Sequence, residues 1–209
     1  DWVIVGPGNY NENISVTDKS GMIIGIAGPD STFIDGSNSQ IMHSENGFWM
    51  MDGFTFTNGS AVDGGALLNV NGGLMLGHSK LVGNNAENNG GAVAAINSTV
   101  YMDSVMLFDN NAGNDGGALS VYNSMESQDQ SWFVGVFNTE IIQNTSGDNG
   151  GGLYIESTDY AATYVDLFDV DVKNNSANSF GGMRLKGNLQ ANVNQSYFVG
   201  NLAQTYAAA

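Results

Sequence analysis

Three carboxylates, Glu140, Asp169 and Asp171, are the set in this sequence whose spacing comes nearest to a catalytic constellation. Glu140 stands four residues before Asn144 and Asp171 four before Asn175; if those asparagines mark the same point of a repeating unit, the two acids fall on adjacent strands. Asp169 then lies on the same outer face, two residues before Asp171. Carboxylates on neighbouring strands are about 4.8 Å apart and an i, i+2 pair about 7 Å apart. The second spacing falls in the roughly 6.5–9.5 Å window of inverting glycosidases, in which one acid protonates the leaving oxygen and the other activates water. The same oxygens suit Ca²⁺, the one cofactor the residues suggest. The ordinary alternative is a solvated acidic face on an acidic chain.

Other chemistry is sparse. A polysaccharide lyase acting on uronates wants a cationic base and clamps, yet Arg184 is the sole arginine and Lys186 its nearest helper, a pair that reads as a solubilising outer face. His43 and His78 have no second histidine at metal-binding spacing and read as surface or turn residues. Gly-x-Ser-x-Gly, His-Glu-x-x-His and phosphate-loop patterns do not occur. The chain therefore reads as a non-enzyme, with glycoside hydrolase or polysaccharide lyase as the alternative.

The 209 residues include 21 acidic and 5 basic side chains, a net charge of −16, and no cysteine. Such a charge repels phosphate backbones and anionic lipid, which argues against nucleic-acid partners. No apolar run approaches the roughly 18 residues of a membrane-spanning helix, so this segment is not expected to insert in a membrane. Disulfide frameworks and cysteine zinc sites are excluded. With 42% hydrophobic residues and only 2 prolines against 29 glycines, the composition is that of a packed chain rich in turns.

The elements that would hold these residues come from an internal repeat. Paired glycines followed by an apolar residue recur at Gly64-Gly65-Ala66, Gly90-Gly91-Ala92, Gly116-Gly117-Ala118, Gly151-Gly152-Leu153 and Gly181-Gly182-Met183, the first two intervals being 26 residues. In the same phase stand Asn71, Asn97, Asn123 and Asn188; Asn84, Asn110 and Asn201; Leu81, Leu107 and Phe198; and Ala86, Ala112 and Ala203. Between them lie short β-prone pieces, and glycine, asparagine and serine are too dense for helices. The spacing predicts an all-β, right-handed parallel β-helix of about eight coils, each with three strands and three turns. Recurrent asparagines suit left-handed turns and can bond to one another along the stack.

Residues 1–53 form N-terminal coils with weaker landmarks. Strands are expected at 2–5, 14–16, 22–26, 32–34, 48–51 and 54–57, with turns at Gly6-Pro7-Gly8, Gly28-Pro29-Asp30 and Asp35-Gly36-Ser37. Residues 54–209 carry the Gly-Gly repeats, with two overlong coils predicting lateral loops near 124–131 and 157–164. Asp1-Trp2-Val3 begins within a strand, and Ala207-Ala208-Ala209 stands where the next Gly-Gly-Ala is due. A single β-helix segment, part of a longer protein or stacked on neighbouring repeats, is expected.

The Gly-Gly-Ala motifs, with Leu81-Val82-Gly83-Asn84-Asn85-Ala86 and Phe198-Val199-Gly200-Asn201-Leu202-Ala203, resemble the repeats of polymorphic outer-membrane proteins, within the pectin-lyase-like β-helix group. The opening Ile4-Val5-Gly6-Pro7-Gly8-Asn9-Tyr10-Asn11-Glu12-Asn13-Ile14 resembles a common β-helix entry segment. The resemblance implies a secreted or surface-displayed protein and brings no catalytic residue with it, because that group mixes adhesins, structural proteins and polysaccharide-cleaving enzymes.

Alternation along the strand after each Gly-Gly places Leu67, Val93, Leu119 and Tyr154 outward, an apolar stripe for binding or for covering by the loops. Asn13, Asn58, Asn97, Asn144, Asn174 and Asn194 are Asn-x-Ser/Thr acceptors for glycans in a eukaryotic source. The expected role is a structural or adhesive extracellular β-helix of a cell-surface protein or fibre, contacting itself or neighbouring repeats. The alternative is a carbohydrate-binding or carbohydrate-cleaving β-helix using Glu140, Asp169 and Asp171.

Overall fold

Apolar runs broken every few residues by Gly, Asn or Asp cannot build long helices, so the chain turns at each break. The computed structural model describes residues 2–124, 131–158 and 162–205, and they form a parallel β-helix. One circuit runs through Gly73–Gly77, Lys80–Val82, Asn85–Ala86 and Val93–Ile96, then begins again at Thr99–Asp103. Pairing is parallel throughout, and the 26-residue period is read directly from the register: Gly73 opposes Thr99, Lys80 opposes Met106 and Val93 opposes Leu119. The sheet of leading strands continues from Trp2–Val5 to Leu189–Asn194, and that of closing strands from Ile14–Thr17 to Met183–Gly187.

The circuits that begin at Gly73 and at Thr99 have four straight pieces instead of the expected three. The additional piece is the two-residue strand Asn85–Ala86 or Asn111–Ala112, reached through left-handed Gly83 or Asp109, while the expected corner before it is a single left-handed residue, His78, Ser104, Asn138 or Asp169 in successive coils. Asp35-Gly36-Ser37 lies inside Thr32–Ser39, and the chain bends there as expected, with positive φ at Ser37 and Asn38, the Ser37 N–H donating to Asp35 Oδ1 at 2.7 Å and the register shifting between Asp35 and Ser39. The lateral loops expected near 124–131 and 157–164 centre on 125–130 and 159–161, which lie outside the described residues, as do the closing residues 206–209.

Two sets of backbone constraints explain the repeat. Gly64, Gly90, Gly116 and Gly150 have φ between 61° and 67°, where a side chain is strained. At the next position, a Cβ on Gly65, Gly91 or Gly117 would lie 2.3, 2.2 or 2.1 Å from a carbonyl oxygen of the following coil. The first glycine supplies a left-handed bend and the second permits backbone contact between coils. This also corrects the alignment of the last two repeats. The glycine equivalent to Gly116 is Gly150, not Gly151, and Phe180, with φ 57°, fills that place in the next coil.

Asparagine acts in two ways. Asn71 and Asn97 have the expected left-handed backbone, but Asn123 in the same column does not, and Gly187, not Asn188, continues that column. Asn84, Asn110, Asn144, Asn175 and Asn201 form a ladder beside the core and have no left-handed backbone, which belongs instead to Gly83, Asp109, Gln143, Asn174 and Gly200 just before them. Along this ladder the backbone N–H and the Nδ2 of each asparagine donate to the Oδ1 of the next, at 2.8–3.1 Å. Nδ2 also donates to a strand carbonyl, as from Asn110 to Leu81 at 3.0 Å. A corner that would bury unpaired peptide groups is thus satisfied.

Inside, Leu81, Leu107 and Ile141 stack in one buried column, and Leu74, Val100, Val134 and Val165 in another. Leu107→Asp places an unpaired carboxyl between two leucine-sized neighbours and should cost several kcal/mol. Asn110→Ala removes the acceptor shared by Asn84 N and Nδ2 and the bond to the Leu81 carbonyl, costing about 1–3 kcal/mol. At roughly 2–4 °C per kcal/mol for a chain of this size, both variants should melt measurably lower by circular dichroism. Parental melting of Leu107→Asp would overturn the register.

Candidate functional site

With the interior closed, function must lie on the outer faces, and the strand register assigns their side chains. In the closing sheet, Leu67, Val93, Leu119, Leu153 and Met183 are one column, and the first four are buried in the core. The stripe Leu67, Val93, Leu119 and Tyr154 is therefore not an outer face. Its first three members point inward, and Tyr154 belongs to the neighbouring outward column. The cause is the one-residue misalignment at Gly150, since a shift of one position along a strand exchanges its two faces.

The true outward columns of this sheet are His43, Leu68, Ala94, Ser120, Tyr154 and Arg184, and Glu45, Val70, Ile96, Tyr122, Glu156 and Lys186. Ala94 and Ser120 are small between Leu68 and Tyr154, and a groove of about 170 Å³ opens over them. One wall is Ile96 and Tyr122. The other includes Asp63, Asn89 and Asp115, which belong to a ladder ahead of the Gly-Gly corner. Asn89 donates through N and Nδ2 to Asp63 Oδ1 at 3.1 and 2.9 Å. Asn149 donates likewise to Asp115 Oδ1 at 3.1 and 2.7 Å, and itself accepts from Arg184. The Arg184 guanidinium lies 4.8 Å from the centre of the Phe180 ring. Arg184 and Lys186 are thus outward, as expected, and both are engaged.

Burial raises the Asp115 carboxyl pKa, partly opposed by the Asn149 hydrogen bonds. Burial likewise raises the Tyr154 phenol, helped by the hydrogen bond it donates to Glu156. Burial alone would also raise Glu156, but hydrogen bonds from Lys186, at 2.6 Å, and from Tyr154, with the charges of Lys186 and Arg184, hold it low.

The three carboxylates first singled out lie in a different place. Glu140 and Asp171 are register partners one coil apart, and Asp169 is the left-handed corner residue before Asp171. All three line an open concavity of about 530 Å³ with His78, Lys80 and Met106. Asp171 is paired with Lys173, and Lys80 reaches across to Asp30. Among the described residues no three His, Asp or Glu side chains are gathered so as to hold a metal ion. His43 and His78 both lie on outer surfaces, and the His78 imidazole is 2.9 Å from Asp52.

The outer face of the leading sheet escaped sequence reasoning. Phe133 and Tyr164 are adjacent in one outward column, Phe137 and Phe168 in another, and Gly135 lies between the Phe133 and Phe137 rings. Tyr101 meets Phe137 with ring centres 5.1 Å apart. Phe133, Tyr164 and Phe168 remain 36%, 45% and 39% exposed. The signal was the alternation Phe133-x-Gly135-x-Phe137, two aromatics on one face of a strand with glycine between.

Of the glycan acceptors, Asn144 is withdrawn: it is completely buried in the ladder, with Nδ2 donating to Leu107 and Asn175. Asn13, Asn58, Asn174 and Asn194 are exposed and Asn97 is partly exposed.

The chain matches no family model, and it has no match among curated proteins or solved structures. No helix of the described residues is long and apolar enough to cross a membrane.

The Asp52 hydrogen bond, and then its charge, raise the His78 pKa above its ordinary 6.5. The pair's stabilisation is therefore complete below the unfolded imidazole's pKa and lost as pH rises through the folded value. In an NMR titration the His78 midpoint should lie above 6.5 and return towards it in Asp52→Asn. An unchanged midpoint would refute the pairing.

Proposed function

We propose that this chain is a non-enzymatic structural or adhesive β-helix of an extracellular or cell-surface protein, with repeats of the polymorphic outer-membrane type in the pectin-lyase-like group. The observation that carries the reading is the exposed aromatic face of the leading sheet. Contiguous apolar surface of this kind marks a contact site, and Gly135 leaves room for its rings to lie side by side. The stacked interior supplies a rigid support in which successive coils present this surface. The occupant assigned to the face is a second copy of the chain or a neighbouring repeat in a fibre or surface layer, with physiological salt screening the like charge of the partners.

Substituting Ser for Phe133, Tyr164 and Phe168 together should leave the β-sheet circular-dichroism spectrum intact and reduce self-association in sedimentation velocity. A parent that stays monomeric at high concentration and does not adhere to cell surfaces would refute the reading.

The 530 Å³ concavity favours a second reading, carbohydrate cleavage by Glu140, Asp169 and Asp171. It requires release of new reducing ends from a polysaccharide and their loss in Asp171→Asn. No release across a panel of neutral and acidic polysaccharides removes it.

A further inference from the structure

The groove over Ala94 and Ser120 has features that neither lateral contact nor the acidic concavity uses. Ser120 is only 5% exposed and lines the groove. A hydroxyl that faces an opening can both donate and accept, which makes it a place for a ligand to bond. Beside it, Asp63 and Asp115 accept their ladder bonds through Oδ1, so the second oxygen of each remains an acceptor for a bound molecule. Across the groove, Ile96 and the 40% exposed Tyr122 make an apolar wall.

An apolar wall facing carboxylate acceptors, with a hydroxyl at the base that both donates and accepts, is complementary to a polyol having one apolar face. We infer that this groove is a binding subsite for a neutral saccharide unit. The charge pattern narrows the class. Asp63, Asp115 and Glu156 border the groove and the chain carries −16, so uronates and sulfated sugars are repelled. Glu156 is already neutralised by Lys186 and held by Tyr154, which leaves a polar but weakly charged end. Burial raises the Asp115 carboxyl pKa, the direction opposed to capture of a cation. The saccharide would supply the ligand that an adhesive protein needs, and in that sense the inference rests on the adhesive reading.

The test uses the whole chain and saturation-transfer NMR, with neutral oligosaccharides of glucose, galactose and mannose as probes and oligogalacturonate and cadaverine as comparisons. At least one neutral probe should bind at millimolar concentration or better, and binding should weaken about tenfold or more in Ser120→Leu, which fills the groove from an outward position. Tyr122→Ala, at an exposed site, should weaken it too and provides the same readout if Ser120→Leu folds poorly. Phe168→Ser, on the other sheet, should bind as the parent does. Absence of neutral-sugar binding, binding of only the uronate or the diamine, or unchanged affinity in the groove variants overturns the inference. If neutral sugars fail while cell-surface adhesion persists, the inference falls and the adhesive reading stands; loss of both removes both.

Discussion

The whole molecule depends on each coil's backbone lying against the same point of the next coil at the Gly-Gly corner. Carbonyl oxygens there approach to distances that leave no room for a Cβ at Gly65, Gly91 or Gly117. With that contact made, hydrogen bonds run along the stack, as from Gly91 N to the Gly116 carbonyl and from Gly117 N to that of Gly150. A methyl group at any of these positions would hold two coils apart and break the pairing on both sides. Most of the period therefore follows from one steric requirement, repeated.

The asparagine ladder answers the complementary problem at another corner. A bend that buries peptide groups must satisfy them without water, and Asn84, Asn110, Asn144, Asn175 and Asn201 do so with one another and with strand carbonyls. The stacked apolar columns then need no exact fit across a large core; each side chain meets its equivalents one coil away. Interior positions are thereby restricted to a few residue types, while outward positions are free of the repeat. That division explains how aromatic rings can cover one sheet and a polar groove another without disturbing the stack.

Outward chemistry depends on which residues meet across coils rather than along the chain. Glu140 and Asp171 are 31 positions apart in sequence and directly paired in register. Asp115 and Asn149 meet through the same stacking, as do Tyr154 and Arg184. Small residues matter as much as reactive ones. Ala94 and Ser120 create a groove by what they leave empty, and Gly135 makes room for two rings.

The sequence by itself determined the parallel β-helix, its 26-residue period, the inward columns through Leu107 and the register of Glu140 with Asp171, because each rests on a steric or pairing requirement that recurs at fixed spacing. It assigned the faces of the closing strands the wrong way round. Gly150-Gly151-Gly152 admits two alignments, and Phe180 replaces the glycine that would have chosen between them. Only the tertiary structure decided that Leu67, Val93 and Leu119 point inward, that Asn144 is buried, and that Ser120 lines a groove. Strand alternation has a period of two, so a one-residue ambiguity reverses inside and outside, and only the hydrogen-bonded contact of one coil with the next removes it.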